Sequence, residues 1–171
     1  MPRKTQQVET KLVSEYVKNQ YGQFPHVTKQ PLGLVSEEIL KTEGYEKGLR
    51  MQRPQRFEVD AVVIHPKWLI LIEGKVWHIK NGVGDLIAYR SLVPFTPELK
   101  PYLNRDILLE LVVPWTNPNL EIMCRDNNIR LQVYRPDWIN AVVTRVTEYG
   151  TREYRIAREQ KLRDRELLGL E

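Results

Sequence analysis

The stretch Trp68 to Ile79, WLILIEGKVWHI, is the tightest constraint on the fold: it is apolar enough for a buried strand, yet it carries Glu73 and Lys75 in its middle. An unpaired buried charge costs several kcal/mol, so the fold must bring partners to both. Before it lies RFEVDAVVI, residues 56–64, and the intervening HPKW sets Pro66 and Lys67 in a tight turn, which makes the two runs a hairpin. That turn puts His65 opposite Trp68, and the register then carries Asp60 to Glu73. Strand side chains alternate, so Asp60, Val62 and Ile64 share a face with Leu69, Leu71, Glu73 and Lys75. Two acids and a lysine thus meet at the open end of the hairpin, where opposed like charges are destabilising unless a cation lies between them. Two purely structural accounts fit the same spacing: a surface ion cluster in which Lys75 pairs diagonally with Asp60, or a hairpin end that simply reaches solvent.

The rest of the chain supplies elements around this hairpin. From Gln6 to Tyr21, Val8, Leu12, Val13, Tyr16 and Val17 recur at helical spacing and predict an amphipathic helix. Residues 23–44 contain Pro25, Pro31 and Gly33 and read as loop, with one or two helical turns around Ser36 to Lys41. Asp85 to Val93 is a short helix after NGVG; DILLELVV, residues 106–113, is a buried strand; a helix starts at Asn117 with Pro118 in its first position; IRLQVY, residues 129–134, is another strand. Beyond Pro136 the pattern is helical and charged, with Ile139, Val142, Val143, Val146 and Tyr149 on an apolar face.

The chain's 171 residues suit one domain, and 42% hydrophobic with 28% charged residues is globular composition. A net charge of +4 leans towards polyanionic partners without identifying one. Cys124 is the single cysteine, which excludes an intrachain disulfide, argues against a cysteine zinc site and suggests a reducing compartment. His26, His65 and His78 are too dispersed for a zinc motif. The N-terminal MPRKTQQVETK has no apolar core behind its basic residues and no run approaches a membrane span, so the expected location is cytoplasmic, with no membrane partner.

Asp60, twelve intervening residues, then Glu73, Gly74 and Lys75 resemble the signature of the PD-(D/E)xK, or restriction-endonuclease-like, nuclease superfamily. The element order over roughly residues 5–134 is similar to its core as well. The resemblance implies an α/β fold: a restriction-endonuclease-like core with a mixed central β-sheet flanked by helices over residues 1–135, and a C-terminal helical extension of the same domain over 136–171. It implies a Mg2+-dependent deoxyribonuclease, with Mn2+ as a substitute, in which Asp60, Glu73 and the carbonyl of Gly74 hold the metal and Lys75 orients or activates the attacking water. Magnesium takes oxygen ligands and keeps several waters, so such a sparse donor set suffices. Glu9, on the apolar stripe of the first helix, resembles the family's additional helix acid, though an acid is also favoured near any helix N-terminus. Val59 stands where proline often precedes the aspartate. Tyr89 and Arg90 occupy the next helix, where some members carry a glutamine and a tyrosine, which makes them candidate nucleic-acid contacts.

KGLRMQRPQR, residues 47–56, carries Lys47, Arg50, Arg53 and Arg56 with no acid among them, and reads either as a phosphate-contact strip or as a solvated loop edge. Arg152, Arg155 and Arg158 recur in the C-terminal helix among acids, as in a solvated or homodimer-forming element. Three functions compete: a metal-dependent nuclease acting on DNA, with RNA offering the same phosphodiester; a catalytically inactive nucleic-acid-binding or assembly subunit of the same fold; and an interaction domain whose hairpin acids form a surface cluster.

Overall fold

The computed structural model describes residues 4–147, 156, 158–161 and 163–164, and the chain divides into two compact units, Met1–Tyr134 and Arg135–Glu171. The first unit contains α1 (Lys4–Tyr21), β1 (His26–Leu32), α2 (Glu37–Glu43), α3 (Tyr45–Gln52), β2 (Phe57–Ile64), β3 (Trp68–Gly74), α4 (Asn81–Leu92), β4 (Asp106–Val113), α5 (Pro118–Asp126) and β5 (Ile129–Val133). The five strands form one mixed sheet in the order β1-β2-β3-β4-β5. The first three are antiparallel, and β3, β4 and β5 are parallel. This is the α/β class with a mixed sheet flanked by helices that the sequence predicts. In the second unit α6 (Asn140–Thr147) is helical; Tyr149, Arg152 and Arg155 of the expected C-terminal helix lie outside the described residues. Among the described residues no helix is long and apolar enough to cross a membrane.

The hairpin register is the one its turn dictates. His65 N donates to Trp68 O at 3.0 Å, and Ile64, Val63, Val62 and Ala61 pair with Leu69, Ile70, Leu71 and Ile72. One face of the sheet (Val62, Leu69, Leu71, Leu109, Leu111) packs on Val83, Leu86 and Tyr89 of α4 and on Leu120 and Cys124 of α5. Leu12, Val13, Tyr16 and Val17 of α1 are buried against the other face. The start of α5 is as predicted: Pro118 opens it, and the Asn117 side chain accepts from Leu120 N at 3.0 Å, satisfying a helix-end amide.

Four segments depart from expectation. β3 ends at Gly74 rather than running on to Ile79: Lys75 N still donates to Val112 O at 3.0 Å, but the backbone then turns, with His78 at φ 52°. Val76 and Ile79 are apolar because this turn is buried, which sequence alone reads as more strand. β1 occupies a segment expected to be loop. Residues 47–56, read either as a phosphate-contact strip or as a solvated loop edge, lie mostly in α3 and a 3-10 turn at Arg53–Gln55. Finally, α4 starts at Asn81, so NGVG is helical. Gly82 is needed there, since a Cβ would overlap Leu111 Cδ1 and touch Lys75 Cγ at 3.0 Å.

Gly74 serves a similar purpose on the other face, where a Cβ would overlap Cγ2 of the buried Val13 of α1. Gly74→Ala should therefore destabilise the protein by about 1–3 kcal/mol through overpacking. Val13→Ala in the same chain should recover part of the loss, and additive effects of the two substitutions in denaturant melts would contradict this packing account.

Candidate functional site

The site forms where the hairpin opens. β2 is paired on both sides, yet both ladders lapse at Asp60: the pairing with β3 stops at Ala61–Ile72, and the pairing with β1 skips from Thr28–Ala61 to Gln30–Val59. Side chains take over there. Asp60 N donates to Glu73 Oε2 at 3.4 Å, and Gly74 N donates to Asp60 Oδ2 at 3.0 Å. The two carboxylates thus sit opposite one another, as the register predicts. Lys75, just past the end of β3, donates to Glu73 Oε1 at 2.7 Å and pairs with Asp85 Oδ2 of α4 at 2.9 Å. Of the structural accounts weighed for the sequence, the diagonal Lys75–Asp60 pair is not the one formed; the cation nearest Asp60 is Lys29, at 3.5 Å from Oδ1.

Glu73 is only 4% exposed. Burial, and after it the neighbouring Asp60 charge, pushes its carboxyl up to about 8 against the opposing pull of Lys75. Burial alone would lower the Lys75 ammonium, but Glu73 and Asp85 more than offset it and hold the ammonium above its ordinary range. Asp85 keeps Lys75 paired in either protonation state of Glu73. Burial raises the Tyr89 phenol too, with Glu73 and Asp85 adding to the shift, so this tyrosine of α4 borders the site. Arg90, one position on, is exposed and faces elsewhere.

Glu9 projects from inside α1, beyond its first turn, and accepts from Val76 N at 3.0 Å. The helix-terminus explanation for this acid therefore does not apply; the residue braces the backbone just after Lys75. Burial raises its carboxyl while the Val76 amide and the Lys75 charge lower it.

The basic strip is largely spoken for. Lys47 pairs with Glu43, Arg53 with Glu58 at 3.0 Å, and Arg56 with Glu98 through two contacts of 2.6 and 2.7 Å. The Arg56 side chain is 3% exposed and also donates to Pro31 O, so it is a buried brace and not a phosphate contact. Arg50 stays exposed in a cleft shared with Arg53 and Lys29. The four residues are not unopposed: Glu43 and Glu58, which flank the strip in sequence, and the distant Glu98 pair with three of them.

Sequence reasoning missed Asp85 and Lys29. Asp85 had a signal, since it lies four residues before Tyr89 on the same helical face. Lys29 had none, sitting in a segment read as loop.

The residue types suit a hard divalent cation. Lys29 pairs with Asp60, and Lys75 with Glu73 and Asp85; burial is the main cause of the upward shift of Glu73, and the neighbouring Asp60 charge adds to it. Among the described residues no group of three or more His, Cys, Asp or Glu side chains is arranged to hold a metal, so any such ion would rest on the two carboxylates and a backbone carbonyl. Comparison with protein-family models, curated proteins and solved structures found no match.

Proposed function

We propose that this chain is a metal-dependent nuclease that hydrolyses phosphodiester bonds in DNA, with a restriction-endonuclease-like core. The observation that carries the reading is the meeting of Asp60 and Glu73 across the open hairpin, with Lys75 on Glu73. The element order supports it: a helix, an antiparallel hairpin bearing the acids, a helix and a parallel strand, as in the PD-(D/E)xK superfamily.

In this reading Asp60, Glu73 and the Gly74 carbonyl hold Mg2+ or Mn2+. A cation bound there supplies an acidified water and neutralises phosphate charge. The chain's own residues do the rest. Lys75, kept protonated by Glu73 and Asp85, presents a donor beside the carboxylates, where negative charge develops on the phosphate. Glu9 holds the Val76 amide and so fixes the turn that carries Lys75. Tyr89 closes the α4 side of the site, and Arg50 offers a phosphate contact outside it.

A second reading, a nucleic-acid-binding or assembly subunit without turnover, is favoured by one observation: both lysines of the site are already paired within the protein. Labelled duplex, single-stranded and RNA substrates, incubated with Mg2+, Mn2+ or chelator, separate the two. The nuclease reading expects cleavage of DNA that requires metal and is lost in Lys75→Ala. Binding of DNA without cleavage under every condition would select the subunit instead.

A further inference from the structure

We propose that Lys29 is the exchangeable counter-ion of the site: in the free protein its ammonium sits on Asp60, and when a divalent cation occupies the carboxylates it moves to a phosphate oxygen of the bound strand. This rests on the metal-dependent reading of Asp60 and Glu73 and adds a residue to it.

The first observation is backbone geometry. Lys29 lies inside β1 at φ 54°, the left-handed region that residues with a Cβ avoid in a strand. The β1–β2 register is identical on either side of it, so the kink does not serve to shift the pairing. What the kink does is break the ladder opposite Asp60. Strain at a single residue, held by its surroundings, is characteristic of functional sites. Here the hold is visible: Arg53 donates to the Lys29 carbonyl at 2.9 Å and is itself anchored to Glu58 at 3.0 Å.

The second observation is how loosely the ammonium is held. It lies 3.5 Å from Asp60 Oδ1 and 3.6 Å from Glu58 Oε1, whereas Lys75 reaches its two partners at 2.7 and 2.9 Å. Lys75 is a fixed member of the site; Lys29 shares two acids at longer range and keeps 29% of its side chain exposed. If it leaves Asp60, Glu58 retains Arg53, so no acid outside the metal site is left unpaired.

The third observation is position. Lys29 lines two open clefts, one with Arg50 and Arg53 beside Glu46 and Glu98, and the other with Gln6, Gln7, Thr10 and Lys11 of α1. It is the residue common to both, at the point where a strand lying along either cleft would meet the carboxylates. A lysine displaced from Asp60 by a cation has phosphate as its natural next partner. One side chain would then couple metal occupancy to substrate binding.

Lys29→Met and Lys29→Gly test this together. Both remove the ammonium, but methionine keeps the backbone strain and glycine relieves it, so an effect common to the two belongs to the charge. In calorimetric titrations of the full chain with Mn2+ alone, both variants should bind about tenfold more tightly than wild type, since an ammonium at this range competes strongly with a cation. Their single-turnover rates on labelled DNA at saturating Mn2+ should fall about tenfold or more, and Lys29→Arg should recover much of the rate. Loss of a merely structural contact would not tighten Mn2+ binding. Unchanged or weaker Mn2+ binding in both variants would overturn the inference. Absence of Mn2+ binding by wild type, seen before any variant is made, would instead overturn the metal-dependent reading on which it rests.

Discussion

On the proposed nuclease reading, Glu73→Gln is expected to lower metal-dependent cleavage by ~10²-fold, and on any reading it should make the protein more stable at alkaline pH. The first effect follows from loss of a carboxylate that would hold the metal; loss of even an outer partner of a metal ligand costs roughly 10–100-fold in metal affinity or activity. The second follows from linkage. The Glu73 carboxyl is raised in the folded state, first by burial and then by Asp60, to about 8 from an ordinary value of 4.5. A group shifted upwards contributes stability that is fully present below the unfolded value and is lost as pH rises through the folded one. Wild-type stability without metal should therefore fall between about pH 4.5 and 8, by ~1.4 kcal/mol for each unit of effective shift. The glutamine variant lacks this titration. Glu9 and Glu110 are also shifted upwards but are common to both proteins, so the difference between their melting curves isolates position 73. A pH-independent difference between them would mean that neither burial nor Asp60 raises the Glu73 carboxyl in the folded protein.

On the proposed metal-dependent reading, a cation would require Glu73 in its ionised form, so its binding should release a proton near neutral pH. The proton lost to the cation would then be the one that steadies the fold without it. Asp85 matters here. Since Lys75 pairs with Asp85 as well as with Glu73, neutralising position 73 does not strand a buried ammonium, and the variant should fold.

The hairpin and its acids were legible in the sequence because a tight turn fixed the register, and the two-residue period of strand side chains then assigned the faces. β1 was not legible. HVTKQPL lies at a sheet edge with three exposed residues at its start, contains a proline and bends at Lys29, so it lacks the apolar alternation by which strands are read. The end of β3 was hidden for the opposite reason: Val76 and Ile79 are as apolar as the strand itself, though they belong to a buried turn. The start of α4 was obscured by two glycines, one of which is there for close approach and not for a loop. In the basic strip, a window of residues 47–56 displayed Lys47, Arg53 and Arg56 without Glu43 and Glu58, which lie just outside it, and without Glu98, which only the fold brings to Arg56. Charge read within a short window overstates a patch whose counter-charges flank it or arrive from other elements.

Glu110→Ala should cost about 3–5 kcal/mol, a large effect for a single substitution. Glu110 is fully buried at the centre of β4, on the face opposite Glu73. It accepts from Tyr16 at 2.8 Å and from Tyr21 at 2.9 Å, both on α1, and pairs with Arg130 of β5 at 3.3 Å. Burial raises its carboxyl, and the tyrosine hydroxyls and Arg130 pull it back down. Truncation strands the buried Tyr16 hydroxyl, removes the acceptor shared by the part-buried Tyr21 and the half-exposed Arg130, and leaves a cavity, whereas replacing polar partners together by apolar groups of similar size is often close to neutral. Glu110→Leu combined with Tyr16→Phe should therefore cost less than the sum of the single changes, a coupling that a double-mutant cycle reads directly. At ~2–4 °C per kcal/mol for a chain of this size, Glu110→Ala should lower the melting temperature by roughly 6–20 °C. The consequence reaches the site, because the helix pinned by Tyr16 and Tyr21 also carries Glu9, which holds the backbone beyond Lys75. Amide exchange at Val76 should accelerate in Glu110→Ala under conditions where the protein remains folded. Slow exchange at Val76 alongside a lowered melting temperature would show that the Glu110 network stabilises the sheet without positioning α1 over the site.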